Sequence, residues 1–116
     1  MNEYVYKHVD NIINCSHVLL SSELSERQEN FLNLVIHNAR QFREIGHTYE
    51  GMTQLSREQR HKLANPLTPM LGYAELLLSG TMGSLTNEQF YYAQRICEST
   101  YFLRDVVDMM VVRAAV

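Results

Sequence analysis

Leu63-Ala64-Asn65-Pro66-Leu67-Thr68-Pro69-Met70-Leu71-Gly72-Tyr73-Ala74-Glu75-Leu76-Leu77-Leu78 is the stretch that decides how this chain folds. Within it, Leu63, Leu67, Met70, Ala74 and Leu77 recur at steps of four and three, the spacing of a seam between packed helices. The same steps occur 58 residues earlier, at Val5, Val9, Ile12, Ser16 and Leu19, with Ile13 and Leu20 matching Leu71 and Leu78. A second stripe runs Tyr92, Ile96, Ser99, Leu103, Val106, Met110. Its counterpart lies 61 residues earlier, at Phe31, Val35, Asn38, Phe42, Ile45 and Tyr49. The polar member falls at the same step in both. Leu24/Leu85, Gln28/Gln89 and Arg43/Arg104 are identical pairs in this register. Any two amphipathic hairpins share a stripe; matched polar interruptions and identical Gln and Arg positions point further, to a duplicated hairpin.

Three helix starts share one signal, Leu-Ser/Thr-x-x-Gln: Leu24-Ser25…Gln28, Leu55-Ser56…Gln59 and Leu85-Thr86…Gln89. In each, the hydroxyl caps the N–H three residues on and the glutamine reaches back to the cap. The signals predict helices over about 3–22, 25–49, 54–79 and 86–112. One hairpin cannot bury its stripe alone, so the expected fold is all-α: an antiparallel four-helix bundle of two tandem, pseudo-dimeric hairpins. Residues 1–116 form one domain, with a first, degenerate hairpin over 1–50 and a second over 54–116. A pseudo-two-fold rotation should exchange the two.

Composition narrows the function classes. A chain of 116 residues suits a single domain, and 46% hydrophobic content supports a core. Its net charge of −3 gives no electrostatic case for nucleic acid. No apolar run suits a bilayer, and the polar start Met1-Asn2-Glu3-Tyr4 is not that of a signal peptide, so a cytoplasmic address is expected. Cys15 and Cys97 read as small buried hydrophobes rather than a disulfide. His8, His17, His37 and His47 lack metal-ligand spacing and read as surface or boundary residues, and no metal is expected. Met52, Met70, Met82, Met109 and Met110 read as core filler.

The second hairpin begins His61-Lys62-Leu63-Ala64-Asn65-Pro66-Leu67 and turns at Gly83-Ser84-Leu85-Thr86. This resembles the phosphoacceptor box of bacterial sensor histidine kinases, in the dimerisation and histidine-phosphotransfer domain (HisKA-like). The usual form of the box is His, an acidic residue, an apolar residue, any residue, Thr or Asn, Pro, Leu. The likeness covers about residues 55–112, and more weakly Leu24 to Ile45. It implies two-component signalling: His61 as phosphoacceptor, Asn65 at the position that orients water when a partner is dephosphorylated, and a response-regulator receiver domain or sensor kinase as partner. No cofactor is expected on the chain itself; Mg²⁺ would belong to the partner receiver.

Residue chemistry supports and qualifies that resemblance. His61, Asn65, Thr68, Gly72 and Glu75 also step by four and three, on the side away from Leu63, so His61 should face solvent with the Asn65 amide beside it. Pro66 should kink the helix directly below His61, with Pro69 adding a second disruption. Arg57, Arg60 and Lys62 should ring His61 with positive charge and favour an acidic partner, although the helix dipole disfavours cations in a first turn. Lys62 replaces the family's acidic residue and cannot accept a proton while charged, so no autokinase activity is expected. The first-hairpin counterpart of His61 is Glu3, so one face alone can carry phosphate. The expected function is a phosphohistidine carrier or phosphotransferase, monomeric or homodimeric. The alternatives are a non-catalytic module that binds or sequesters a response regulator or kinase, and a fragment of a larger sensor kinase.

Overall fold

Each of the three cap motifs forms. Ser25 Oγ accepts from the Gln28 N–H at 3.2 Å while Gln28 Oε1 accepts from the Ser25 N–H at 2.8 Å; Ser56–Gln59 and Thr86–Gln89 repeat the pattern. These boxes satisfy N–H groups that a helix start otherwise leaves to water. They open α2 (Glu26–Thr48), α3 (Arg57–Ala64) and α5 (Asn87–Asp108). An Asn2 cap opens α1 (Glu3–Leu20), and α4 spans Leu67–Ser79. The structure, a computed structural model, describes residues 2–110 and 112.

The helix expected over 54–79 is thus two, α3 and α4. Pro66 has no N–H for the Lys62 carbonyl, so the ladder stops with Asn65 N–H to His61 O at 3.0 Å and restarts with Met70 N–H to Pro66 O at 3.4 Å. Asn65 and Pro66 keep helical dihedrals, φ −52° and −70°, so the break bends the rod without turning the chain back. Pro69 is no second disruption. It lies in the first turn of α4, where a missing N–H has no intrahelical partner to lose. Elsewhere α1 stops at Leu20 and α5 at Asp108, short of the expected 22 and 112, and Val112 forms an isolated parallel bridge with Leu55. The remaining tail of the second hairpin, residues 111 and 113–116, lies outside the described residues.

α1 packs against α2 and α5, and α4 against α5 and α2, with no contact across the α1·α4 and α2·α5 diagonals. That ring is a four-helix bundle, and α3 continues α4 at one end. Exchanging α1 with α4 and α2 with α5 leaves the ring unchanged, the two-fold form that offsets of 58 and 61 residues require. Burial follows the same offsets. Val5/Leu63, Val9/Leu67, Ile12/Met70, Ile13/Leu71, Ser16/Ala74 and Leu19/Leu77 are buried in both members. So are Leu32/Ala93, Val35/Ile96, Ile36/Cys97, Ala39/Thr100, Phe42/Leu103 and Gly46/Val107.

The second pair of stripes is rotated slightly from its expected phase. Phe31, Ile45, Tyr49, Tyr92, Val106 and Met110 are only half-buried, and Val107 rather than Val106 is the inaccessible valine. Each helix is pressed by two neighbours, so the buried arc is wider than one seam and its centre lies between them. The methionines also differ from expectation: Met70 is buried, while Met52 and Met109 are exposed because they lie past the helix ends.

Two glutamines bind the hairpins together. Gln28 and Gln89 are 2% and 7% exposed. Gln28 Nε2 donates to the Gly83 carbonyl at 2.9 Å; Gln89 Nε2 donates to the Glu23 carbonyl at 2.8 Å and to Ser22 Oγ at 2.9 Å. Each hairpin therefore hooks the other's turn. A Cβ on Gly83 would meet Gln28 Nε2 at 2.9 Å, and φ there is +137°, so both space and backbone require glycine.

Leu67→Ala, at a side chain 1% exposed, should cost about 2–5 kcal/mol in a urea titration. A loss under about 1 kcal/mol would contradict the assignment of this residue to a packed core. Gln89→Ala strands two acceptors in the turn and should cost about 1–3 kcal/mol.

Candidate functional site

Because Pro66 ends α3 early, His61 and Lys62 occupy the last turn of a short helix instead of the N-terminal third of a long one. Cations are favoured there, and Glu58 supplies the matching acidic start. The expected conflict with the helix dipole is thereby removed for these two residues. His61, Lys62, Asn65, Thr68, Gly72 and Glu75 are all exposed, while Leu63 on the opposite side is 1% exposed.

The box does not converge on one point, however. Arg57, Arg60 and His61 line a groove of about 200 Å³ with Ala64 and, from α5, Val107 and Asp108. Arg60 Nη1 donates to the Met110 carbonyl at 3.4 Å. Lys62 and Asn65 belong to a separate groove of about 380 Å³ against α2, shared with Asn38, Gln41 and Glu44. Lys62 Nζ lies 3.6 Å from Glu58 Oε1. Lys62 therefore does not complete a positive shell around His61, and Asn65 opens away from the His61 groove. A single step along a helix turns about 100°, and four steps overshoot a full turn by about 40°, so α3 divides these side chains between its two flanks. Glu75 is engaged as well: its carboxylate accepts from the Tyr101 hydroxyl of α5. That hydrogen bond, then the Glu75 charge, raises the Tyr101 pKa.

Both cysteines are buried and free. Burial pushes the Cys97 thiol up to about 11, with Glu75 and Glu98 adding to the effect, and burial also raises Cys15. Thiols held protonated in this way are poor nucleophiles near neutral pH. Among the described residues no group of three or more His, Cys, Asp and Glu side chains could hold a metal ion. His17, His37 and His47 are exposed, and His47 stacks on Tyr6 at 4.7 Å.

Asp108, beside His61, lies beyond the reach of the motif, being supplied by another helix. A second polar cluster was also hidden. The half-buried His8 stacks on Phe102 with ring centroids 4.0 Å apart, and Tyr4 meets it edge-on at 5.2 Å. His8 Nδ1 is 3.4 Å from Ser99 Oγ, which also accepts from Asn11 Nδ2 at 2.8 Å. Burial, and after it the Arg95 charge, holds the His8 pKa below its usual value. The sequence signal for this cluster was Ser99 itself, the polar residue interrupting an apolar stripe.

No family model matches the chain, and no curated protein or solved structure matches it either.

A histidine with a depressed folded-state pKa binds fewer protons in the native than in the unfolded chain. The His8 contribution is therefore fully present above the unfolded pKa of about 6.5 and is lost as pH falls through it toward the folded value. His8→Gln should flatten that part of the profile in denaturant titrations run across this window. A wild-type protein that gains stability over the variant as pH falls would reverse the sign and refute it.

Proposed function

We propose that this protein is a cytoplasmic phosphohistidine carrier that exchanges a phosphoryl group with the receiver domain of a response regulator. The observation that carries this reading is an exposed His61 in the last turn of α3, ended by Asn65-Pro66, on one hairpin of a two-hairpin bundle. A ring nitrogen attacks the phosphorus of the receiver's aspartyl phosphate. The P–O bond to the aspartyl carboxylate breaks with its electron pair, a P–N bond forms, and the imidazolium sheds a proton to water. Arg57 and Arg60 line the same groove as His61, where guanidinium groups suit the transferring phosphoryl oxygens. The receiver supplies Mg²⁺. Thr68 and Gly72, exposed further along the same face, are the proposed docking surface below His61. Among the described residues no helix is long and apolar enough to cross a membrane.

Lys62 favours a second reading, a non-catalytic module that binds a response regulator or kinase. A lysine ammonium is a donor with no acceptor lone pair and cannot take the imidazole proton that an acidic neighbour would accept.

The protein incubated with ATP and Mg²⁺ alone should remain unlabelled. With a phosphorylated cognate receiver it should acquire an acid-labile, base-stable label, and His61→Gln should abolish that label while leaving the melting curve unchanged. If receivers transfer nothing yet bind wild type and His61→Gln with equal affinity, the carrier reading fails and the binding module stands.

A further inference from the structure

The two-fold relation between the hairpins also relates two grooves. The offsets of 58 and 61 residues relate the groove beside Lys62 and Asn65 to one of about 500 Å³ between α1 and α5. In that second groove Tyr4, Lys7 and His8 stand where the first has Lys62, Asn65 and Pro66, and Ser99 and Phe102 stand where it has Asn38 and Gln41. Arg95 is the counterpart of Leu34. The replacements are directional: each groove has one ammonium, and the second has gained a guanidinium, an imidazole and two aromatic rings.

Its floor is already organised. Ser99 is 4% exposed and holds both Asn11 Nδ2 and His8 Nδ1, while Phe102 fixes the imidazole plane from one side. The equivalent Asn38 only donates back to the Leu34 carbonyl of its own helix, at 2.8 Å. Lys7 and Arg95 flank the floor without an ion-pair partner among the described residues, and they outnumber the single carboxylate in the lining, Glu98. Tyr4, 59% exposed, forms an apolar wall beside them. Two cations without a carboxylate partner among the described residues, Arg95 lying 5.8 Å from the Tyr91 ring centroid, together with a fixed amide and an aromatic wall match an aromatic oxyanion.

We infer that the α1–α5 groove binds a small aromatic oxyanion, with its phosphate or carboxylate held by Lys7, Arg95 and Asn11 and its ring against Tyr4. No covalent step is involved, and the site stands apart from His61 and from the carrier reading.

The test is a titration followed by NMR at the His8 ring and the Asn11 side-chain amide, using phenyl phosphate, benzoate, inorganic phosphate and phenol as separate probes. Phenyl phosphate or benzoate should give saturable shifts, and the tighter of the two identifies the oxyanion. Phosphate and phenol should each bind weaker by about tenfold or more, since each supplies half of the contacts. Lys7→Gln and Arg95→Gln should each weaken the aryl anion by about tenfold. Both side chains are exposed, so the fold survives either change. His61→Gln should have no effect, which separates this site from the proposed phosphoacceptor. Absence of saturable shifts with both aryl anions, phenol binding as tightly as they do, or indifference to both charge variants would each overturn the proposal.

Discussion

Two amphipathic helices joined by a short turn have one apolar face more than they can cover. Packed on each other, α1 and α2 still expose part of each stripe, and so do α4 and α5; among the described residues each hairpin covers the other's exposed stripe. Most of the structure follows from that constraint. The four-membered ring without diagonal contacts, the paired burial at offsets of 58 and 61 residues, and the reciprocal glutamine hooks are three expressions of it. The hooks add specificity to a contact that hydrophobic burial alone would leave free to slide. A buried amide that misses its acceptor loses about 1–3 kcal/mol, so Gln28 and Gln89 penalise any shift of one hairpin along the other.

Both candidate sites lie where the repeat is broken. His61 corresponds to Glu3 across the pseudo-axis and His8 to Pro66, so each of these two imidazoles stands where the other half has none. Pro66 also reshapes its half by ending α3 and placing His61 and Lys62 at a helix C-terminus. In the first half the absence of a proline keeps α1 whole over Glu3–Leu20, and His8 can settle against Phe102 and Ser99 of α5.

The all-α class, cap chemistry, the repeated burial register and the exposure of His61 and Asn65 were legible in the sequence because all are local or periodic. A 3-4 stripe or a Ser-x-x-Gln box lies within one or two turns. Three features were not legible. The phase of the α2 and α5 stripes depends on two neighbours at once, which set Val107 inward in place of Val106. The fate of Pro69 depends on where α4 begins, and that is fixed by Pro66. The grooves join residues from distant parts of the chain, so neither Asp108 beside His61 nor the Ser99–His8 cluster could be read from spacing. Ser99 and Asn38 interrupt both stripes at the same step, and that was the one visible trace of the second groove.

The central claim is that one chain supplies both hairpins of its own bundle. Isotope-filtered NOE spectra of an equal mixture of labelled and unlabelled chains test it most directly, at the Gln28 side-chain amide against Gly83 and at the Gln89 amide against Glu23. Both contacts should appear only within a chain. Cross-peaks between labelled and unlabelled chains at these amides would mean that two copies exchange hairpins to build the bundle, and the single-chain account would be wrong.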